Sequence, residues 1–476
     1  MLFPLTTHTN RKDHLEIGGC DVVSLAREFG TPLYIYDESH LRTRAAEIRD
    51  AFHSRWKNSL VLYATKAYYS PYLARIYKDA GLGIDVTSEG EMEIARRIGL
   101  SPDKIYLHGN NKTPAEIRAA LALGVDHIIV DNLDEIELLA QIANELNVTP
   151  RVLLRLAPAI DPHTHRYMAT GIAESKFGLS MATGDAMSAA RRVHELAPRL
   201  QLVGLHVHIG SQVFDLEPHR DAINTVTDFA QELKSTIGFE LQELNLGGGW
   251  GVAYTEEQET LSVDAIANAV VSTLKDRRPP TADCRLLFEP GRALIAQSAV
   301  AVYTVGAVKE IRGVKTYVSV DGGMGDNVRP SLYGAQYTAR VANKMSAAST
   351  ARVSIAGRYC EQGDILIENV ELPIVAPGDL IAIPLAGAYQ IPMSSNYNLI
   401  PRPAVVAVRD GNAHVIRRRE TIDDMLRCEA ELISMLEELH RLTRETVRLH
   451  VLVEKHSLET LFAAWAGEVI CMVFYL

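Results

Sequence analysis

The stretch "LVLYATKAYYS" (Leu60–Ser70) places a lysine, Lys66, directly after an apolar run. The run has the length and the apolar content of a buried β-strand. Lys66 is then either the first solvated residue beyond that strand or a reactive amine held at the mouth of an active site. The rest of the chain decides between these two interpretations.

Short apolar runs of the same kind recur along the first half of the chain and alternate with segments of helical spacing, such as "PYLARIYKDAG" and "GEMEIARRIG". Such alternation predicts a parallel sheet with right-handed crossovers, and eight units fit an α/β fold of the (β/α)8 TIM-barrel type. A doubly wound sheet is the alternative, but no GxGxxG follows the first strand. The eight predicted strands are Ser59–Lys66, Gly83–Ser88, Ile105–Asn110, His127–Asp131, Arg151–Pro158, Leu202–Gly210, Glu243–Trp250 and Arg285–Arg292.

The pattern changes after about residue 297, where short strands such as "AVYTVGAVKEI" and "DLIAIPLAG" are separated by Gly, Asp and Pro turns. This is typical of a mostly antiparallel β-domain. Residues 14–37 could supply a strand to the barrel, but we expect the N-terminal segment to pack with the β-domain. The predicted organisation is an N-terminal segment (1–37), a barrel (38–297), a C-terminal β-domain (298–429) and a tail (430–476).

The tail carries a four-and-three spacing that predicts an amphipathic helix or a short coiled coil. Its final apolar stretch, Leu461–Leu476, is interrupted by Glu468 and is shorter than the about 20 residues of a spanning helix. We therefore expect it to pack against the protein or a partner. The residues in the helical stripe are Met435, Leu439, Leu442, Thr446, Leu449 and Val453.

Composition limits the classes of function. The 476 residues carry a net charge of -11, which argues against nucleic-acid binding. The five cysteines are sparse and form no CxxC pair, which favours a reducing compartment over a disulfide framework. The N-terminus has no apolar signal core. We expect a cytoplasmic enzyme without a membrane segment.

Active residues of such barrels collect at the carboxyl ends of the strands. The glycines of "LNLGGGWG" (Gly247–Gly249) would let backbone N–H groups approach a phosphate, with Arg292 beside it; alternatively, they form only a tight turn. The predicted ends carry Lys66, Asp85, His108, Arg155, His206, His208, Gly247, Gly248, Gly249, Glu289 and Arg292.

The segments "FEPGR" and "GLHVHIGSQ" supply further candidates. Glu289 could hold a heterocyclic nitrogen protonated, or form an ordinary surface pair with Arg292. His208 could lie flat on an aromatic cofactor, with Ser211 donating to a phosphate. Because His206 and His208 have no convincing third ligand in the sequence, we expect no metal site.

An amine, a phosphate-binding turn and a carboxylate for a ring nitrogen are together what pyridoxal 5'-phosphate requires. The amine forms a Schiff base with the cofactor aldehyde, the turn anchors the phosphate, and the carboxylate makes the ring an electron sink. On this interpretation Lys66 is the lysine that holds the cofactor.

The same motifs resemble those of the fold-type III pyridoxal-phosphate decarboxylases, which share the alanine racemase and ornithine decarboxylase architecture. The resemblance runs from about residue 14 to 429 and is strongest to the diaminopimelate branch. Tyr68 and Gln362 depart from residues common in the family. The motifs are "YATKAYYSP", "GLHVHIGSQ", "LNLGGGWG", "FEPGRALIAQ", "VDGGMGDNVRPSLYGAQY", "GRYCEQGD" and "LAGAYQIPMSSNYN".

The resemblance implies a role for each matching residue. Cys360 would return a proton to the substrate, and Cys360 and Glu361 would come from the second subunit of a homodimer with shared active sites. The implied catalytic residues are Lys66, His208, Cys360 and Glu361. The implied cofactor-binding residues are Lys66, Asp85, His208, Ser211, Gly247, Gly248, Gly249, Glu289, Gly291, Arg292 and Tyr389. The implied substrate-binding residues are Arg292, Arg329, Tyr333, Glu361 and Tyr389.

The expected activity is decarboxylation of meso-2,6-diaminopimelate to L-lysine and CO2. A sibling decarboxylase acting on ornithine, arginine, carboxynorspermidine or a carrier-bound amino acid is the second interpretation. An inactive cofactor-binding regulator is a third, from a different class, and is disfavoured because Lys66, Glu289, Arg292, Cys360 and Tyr389 are all present.

Overall fold

The computed structural model describes residues 2–160, 175–277, 284–431 and 441–444. It divides into two compact units, Met1–Arg419 and Glu420–Leu476. The first unit begins with a small antiparallel sheet and a helix whose N-cap, Asp21, accepts hydrogen bonds from the next two backbone N–H groups. These elements are β1 (His8–Thr9), β2 (Leu15–Ile17), β3 (Cys20–Asp21), α1 (Val22–Phe29) and β4 (Leu33–Asp37).

A closed barrel follows. Eight strands pair in the order β5-β6-β7-β8-β9-β11-β12-β13 and β13 returns to β5, with every pair parallel. The predicted barrel is confirmed and the doubly wound alternative is wrong. In chain order its elements are α2 (Glu38–Arg55), β5 (Ser59–Ala64), α3 (Pro71–Asp79), β6 (Gly83–Val86), α4 (Glu89–Arg97), β7 (Ile105–Leu107), α5 (Pro114–Ala122), β8 (His127–Val130), α6 (Leu133–Leu146), β9 (Arg151–Ala157), β10 (Leu179–Ser180), α7 (Asp185–Glu195), β11 (Gln201–Val207), α8 (Glu217–Ile237), β12 (Glu243–Asn245), α9 (Val263–Arg277), β13 (Arg285–Phe288) and α10 (Arg292–Ile295).

Side-chain alternation along the strands separates two cores. Alternate residues fill the barrel interior, while Val61 and Tyr63 of β5 face the surrounding helices. At the amino end of the barrel, the Tyr106 hydroxyl donates to Glu243 at 3.1 Å and buried His127 lies 3.3 Å from the same carboxylate. This buried polar cluster fills the barrel floor. The interior apolar residues are Leu60, Leu62, Tyr106, Ile129, Leu153, Val203 and Leu287.

The β-domain is a mixed sheet with mostly antiparallel pairs, in the order β18-β17-β15-β14-β4-β20-β21; β19 pairs with β14 and β16. The predicted fold class is confirmed here as well. Its elements are β14 (Ala299–Ile311), β15 (Lys315–Val320), α11 (Arg329–Tyr333), β16 (Arg340–Val341), β17 (Ala351–Ala356), β18 (Ile365–Leu372), β19 (Leu380–Pro384), β20 (Ala404–Arg409) and β21 (Asn412–Arg417).

Strand β4 lies in this sheet although it precedes the barrel in sequence. Tyr34 pairs antiparallel with Ala301 and parallel with Val405. All five residues of β4 are buried. The idea that this segment adds a strand to the barrel is therefore wrong, because both edges of β4 are occupied by β-domain strands.

The second unit contains α12 (Ile422–Leu426), which begins with a capping box between Thr421 and Asp424. Except for Leu442, the predicted tail stripe and the final apolar stretch lie outside the described residues. Among the helices that the structure describes, none combines the length and the apolar character that crossing a membrane requires.

Candidate active site

A cavity opens at the carboxyl ends of the barrel strands, opposite the polar floor. It brings together residues that are up to 325 positions apart in the chain, from Ala64 to Tyr389. They come from β5, β6, the loop after β11, the glycine turn, the turn after β13 and a loop of the β-domain. Nine of the predicted site residues line it: Lys66, Asp85, His208, Ser211, Gly249, Glu289, Gly291, Arg292 and Tyr389.

Lys66 lies two residues beyond the end of β5, in a short 3-10 turn formed by Thr65–Ala67. The Thr65 hydroxyl donates to the Asp85 carbonyl at 2.8 Å and ties this turn to β6. The Tyr389 N–H donates to the Ala67 carbonyl at 2.7 Å and ties it to the β-domain. The Lys66 side chain is exposed, so a rigid turn presents an accessible amine.

Glu289 is buried and surrounded by polar groups. Asn245 Nδ2 donates to its Oε1 at 2.6 Å, His108 Nε2 lies 2.8 Å from Oε1, and His206 Nε2 lies 3.1 Å from Oε2. Burial alone would raise the pKa of Glu289, but His108 and His206 hold it well below its usual range. Burial lowers the pKa of His206 to about 4. The site therefore contains a carboxylate that favours its ionised form, in contact with two imidazoles whose own pKa values are lowered by burial.

This cluster corrects one sequence-based expectation. A third potential ligand for the histidine pair was thought to be missing, but the fold brings His108 and Glu289 to His206, with the ligand atoms within 4.8 Å of one another. His208 is not a member of the group.

Asp85 is the second buried carboxyl group of the cavity. Burial raises its pKa well above the usual range, nearby Glu289 raises it further, and Lys66 opposes both effects. Two carboxyl groups thus face the same cavity as one amine. This environment favours a ligand with a cationic nitrogen.

The glycine turn acts differently from the simple phosphate cup that we predicted. The Gly247 N–H donates to Asn245 Oδ1 at 3.0 Å, and the Gly248 N–H donates to His208 Nδ1 at 3.2 Å. These two N–H groups orient side chains, and only Gly249 of the three lines the cavity. A Cβ on Gly249 would lie 2.0 Å from the Gly210 carbonyl oxygen, at a φ of +96° that disfavours other residues.

The hydrogen bond from the Gly248 N–H orients the His208 ring. Because its Nδ1 accepts a hydrogen bond, we assign the proton of the neutral ring to Nε2. Loss of solvation and the neighbouring Lys66 hold the pKa of His208 well below its ordinary value. A neutral, oriented imidazole on the cavity wall can stack on an aromatic ligand.

Arg292 starts α10 on the opposite wall and is 7% exposed. Its Nη2 donates to Ser211 Oγ at 3.1 Å, its Nη1 donates to the Tyr254 hydroxyl at 3.0 Å, and its Cζ lies 4.7 Å from the Tyr389 ring centroid. No acidic side chain in the described part of the chain forms an ion pair with it. A buried, unpaired guanidinium beside a hydroxyl is suited to a phosphate.

Arg329, at the start of α11, is 3% exposed. It donates to the Tyr337 hydroxyl, and its Cζ lies 4.8 Å from the Tyr254 ring centroid. The two tyrosine rings meet edge to face at 5.1 Å. Within the described ranges, Arg329 also has no ion pair. Arg292 and Arg329 therefore form a buried dication that we call the arginine pair.

Tyr254 and Tyr337 escaped the sequence analysis, as did Asn245. Asn245 lies within "LNLGGGWG" and Tyr337 ends "RPSLYGAQY", whereas Tyr254 lies three residues beyond the first of these motifs. The only available signal was proximity to these motifs, since loop tyrosines and a strand-end asparagine have no distinctive pattern.

The remaining predicted residues do not line the cavity around Lys66. Cys360 and Glu361 are exposed on the loop between β17 and β18, where the Cys360 N–H donates to Asn398 Oδ1 at 2.9 Å. Tyr333 ends α11 and is half-buried. Neither these three positions nor Arg329 are among the described residues that line the cavity.

Comparison with known proteins agrees with this geometry. Residues 38–296 match the pyridoxal-binding domain of the pyridoxal-dependent decarboxylases. The diaminopimelate decarboxylase of Bacillus subtilis is 41% identical over 426 residues, which cover 89% of this chain and 97% of the relative. That of Actinosynnema pretiosum is 43% identical over 434 residues, covering 90% and 95%. The chain belongs to the diaminopimelate decarboxylase family.

Solved structures of this family have the same fold. The M. jannaschii diaminopimelate decarboxylase in complex with L-lysine superposes with a TM-score of 0.84 at 34% identity, covering 90% of this chain and 98% of that one. The Helicobacter pylori enzyme with L-lysine gives 0.79 at 33% identity, covering 86% and 100%.

The residues present fit pyridoxal 5'-phosphate, the cofactor of this decarboxylase family. Arg292 and Ser211 suit its phosphate, ionised Glu289 suits its ring nitrogen, and Lys66 offers the amine for its aldehyde. The buried, unpaired Arg292 guanidinium is the observation that requires an anion here. When bound, the cofactor supplies an electron sink for the charge left on a carbon that loses CO2.

Proposed function

We propose that this protein decarboxylates meso-2,6-diaminopimelate at its D-configured carbon, giving L-lysine and CO2 in the last step of lysine biosynthesis. Family membership supports the reaction and the cofactor. The observation that supports this substrate is the arginine pair. Besides Arg292, which suits the cofactor phosphate, it offers a second buried guanidinium, Arg329, that can take a substrate carboxylate.

The second charge distinguishes the substrate candidates. Arg329 is buried among tyrosines without an acidic partner in the described structure. A ligand carboxylate would compensate its positive charge. Diaminopimelate loses one carboxylate as CO2 and keeps the other, which can pair with Arg329. Ornithine and arginine carry only the carboxylate that is lost.

The side chains then divide the chemistry among them. Lys66 would bind the cofactor, Glu289 would hold its ring nitrogen protonated, and neutral His208 would exclude water from one ring face. Cys360 would donate a proton to the carbon that has lost CO2. Glu361 and Tyr333 would contact the distal amino-acid head of the substrate.

We propose further that the active unit is a homodimer with shared sites. Cys360 and Glu361 are exposed on a loop that is fixed from within its own chain, by Asn398 and by the Tyr397 hydroxyl, which donates to the Cys360 carbonyl at 3.4 Å. Tyr397 and Leu399 beside this loop are 42% and 66% exposed. An ordered, partly apolar loop carrying reactive groups is suited to completing a neighbouring subunit's cavity.

Complementation tests this arrangement. Lys66→Ala and Cys360→Ala chains should each be inactive or nearly so alone. When they are mixed equally, refolded and reassembled, half of the dimers hold one intact site, so activity should return to about a quarter of the wild-type value. A mixture no more active than its components would contradict shared sites; reassembled wild-type protein is the control.

We propose the cytoplasm as the compartment. The four cysteines of the described residues (Cys20, Cys284, Cys360 and Cys428) are all free thiols. A reducing compartment keeps such thiols reduced, including the exposed Cys360. Cell fractionation of the native host protein would check this.

The substrate is tested with the purified, cofactor-loaded protein and a panel of meso-diaminopimelate, its L,L isomer, L-lysine, L-ornithine and L-arginine. We expect CO2 and L-lysine from the meso isomer alone. Release from ornithine or arginine would instead identify a sibling decarboxylase. No release from any substrate, with the cofactor bound, would favour the regulator.

A further inference from the structure

We infer that Tyr254 is a positioning residue that holds both members of the arginine pair and so links cofactor retention to recognition of the substrate's distal carboxylate. The inference rests on the proposed function and deepens it. It concerns a side chain that none of the family motifs identified above contains.

Tyr254 contacts both guanidinium groups of the arginine pair, and Arg292 lies over the edge of its ring as well, with Cζ 5.9 Å from the centroid. Its hydroxyl accepts the hydrogen bond from Arg292 Nη1 at 3.0 Å, while its ring face lies 4.8 Å from Arg329 Cζ. The side chain itself is 4% exposed. One buried phenol therefore fixes the separation of the groups assigned to the phosphate and to the carboxylate.

Simple packing does not account for this placement. Two buried guanidinium groups repel each other, and an apolar spacer would leave both charges uncompensated. The phenol offers an electron-rich oxygen to one cation and a π face to the other. The two positive charges lower the pKa of Tyr254 although burial alone would raise it. This lowering agrees with a phenol whose electron-rich oxygen and ring face both interact with the cations.

Tyr337 provides a matched control because it contacts only one member of the pair. Its hydroxyl accepts from Arg329 and from Gln390 Nε2, the latter at 3.0 Å. Loss of this hydroxyl should disturb the carboxylate side and leave the phosphate side intact.

The test measures two affinities in the full-length protein. Cofactor affinity comes from titrating apoprotein with pyridoxal 5'-phosphate and following visible absorbance. Carboxylate recognition comes from the ratio of inhibition by L-lysine to inhibition by cadaverine, a diamine with the same chain but no carboxylate. Circular dichroism and thermal unfolding report whether each variant folds.

Three variants separate the two contacts. Tyr254→Phe should weaken cofactor binding about tenfold by removing one charged hydrogen bond, with little change in the lysine preference. Tyr254→Leu should weaken the cofactor similarly and also lower the lysine preference by roughly three- to tenfold, since the π contact is lost. Tyr337→Phe should lower only the lysine preference.

The outcomes are distinguishable. Folded Tyr254 variants with wild-type cofactor affinity and wild-type lysine preference would overturn the inference. Equal effects of Tyr254→Phe and Tyr337→Phe on both affinities would also overturn it, because they would indicate a non-specific loss of packing around the site. If the wild-type protein itself shows no preference for lysine over cadaverine, the proposed substrate fails instead.

Discussion

At the scale of single residues, the position of Lys66 depends on side chains beneath it. Tyr68, one of the departures from the family pattern, is 5% exposed; its ring lies 5.6 Å from that of Tyr36, and its carbonyl accepts from the Tyr63 hydroxyl at 2.6 Å. This tyrosine packs under the lysine turn and does not line the cavity. The departure therefore concerns the support of the amine, not contact with the substrate.

Replacing Lys66 by alanine should abolish both the visible absorbance of the covalently held cofactor and the release of CO2, because no other side chain among the described residues that line the cavity offers a primary amine. Absorbance spectra of wild type and variant, with exposed Lys57→Ala as control, make the comparison. Wild-type absorbance in the Lys66 variant would assign the cofactor to another lysine.

At the scale of elements, hydrophobic periodicity was sufficient to find all eight barrel strands and most strands of the β-domain, but it missed the short β16 and the edge strand β21. Their ends were predicted too late: the strand at Glu243 stops at Asn245, where the glycine turn begins. Lys66, Glu289 and Arg292 could be predicted as site residues because they lie at the predicted carboxyl ends of strands. Tyr254 and Tyr337 could not be predicted, because tertiary contacts between a barrel loop and a β-domain loop bring them together.

The loop between β15 and α11 positions Arg329 through a buried carboxyl group. Asp326 accepts hydrogen bonds from the hydroxyls of Tyr303 and Tyr34, at 2.5 and 3.1 Å, and from the Gly323 N–H at 2.9 Å. It thereby connects β14 and β4 to the loop. Burial raises the pKa of Asp326 to about 6 despite these hydrogen bonds.

This shift predicts a pH dependence of stability. Because the pKa is higher in the folded state, the folded protein binds the proton more tightly, and the stabilisation present at acid pH is lost as pH rises through about 6. This group alone should make the wild type about 2 kcal/mol more stable at about pH 4.5 than at pH 7. Asp326→Asn should lack that contribution.

Urea unfolding of both proteins at the two pH values measures the effect, and other titrating groups cancel in the comparison. The same pH dependence in wild type and Asp326→Asn would show that Asp326 does not titrate in this range.

At the scale of the whole molecule, Met1–Arg419 and Glu420–Leu476 form separate compact units, and all the described residues that line the cavity belong to the first. We propose that residues 430–476 support assembly and take no part in catalysis. The apolar stripe in their sequence is the basis for this proposal.

A chain ending at Glu429 should keep cofactor binding but show a lower mass by light scattering than the full-length protein. Visible absorbance and CO2 release are measured on the same samples. Unchanged mass together with unchanged activity would show that the tail has no role in assembly.

The location of β4 has a consequence for synthesis of the chain. Its partner in β20 lies about 370 residues further on, so at about 5–20 residues per second the ribosome needs roughly 20–70 s to deliver it. During that interval an apolar segment, "LYIYD", has left the exit tunnel without β20, and until residues 299–302 are made it lacks β14 as well. The nascent barrel must therefore mature beside an unpaired strand, which is the segment that a chaperone would hold.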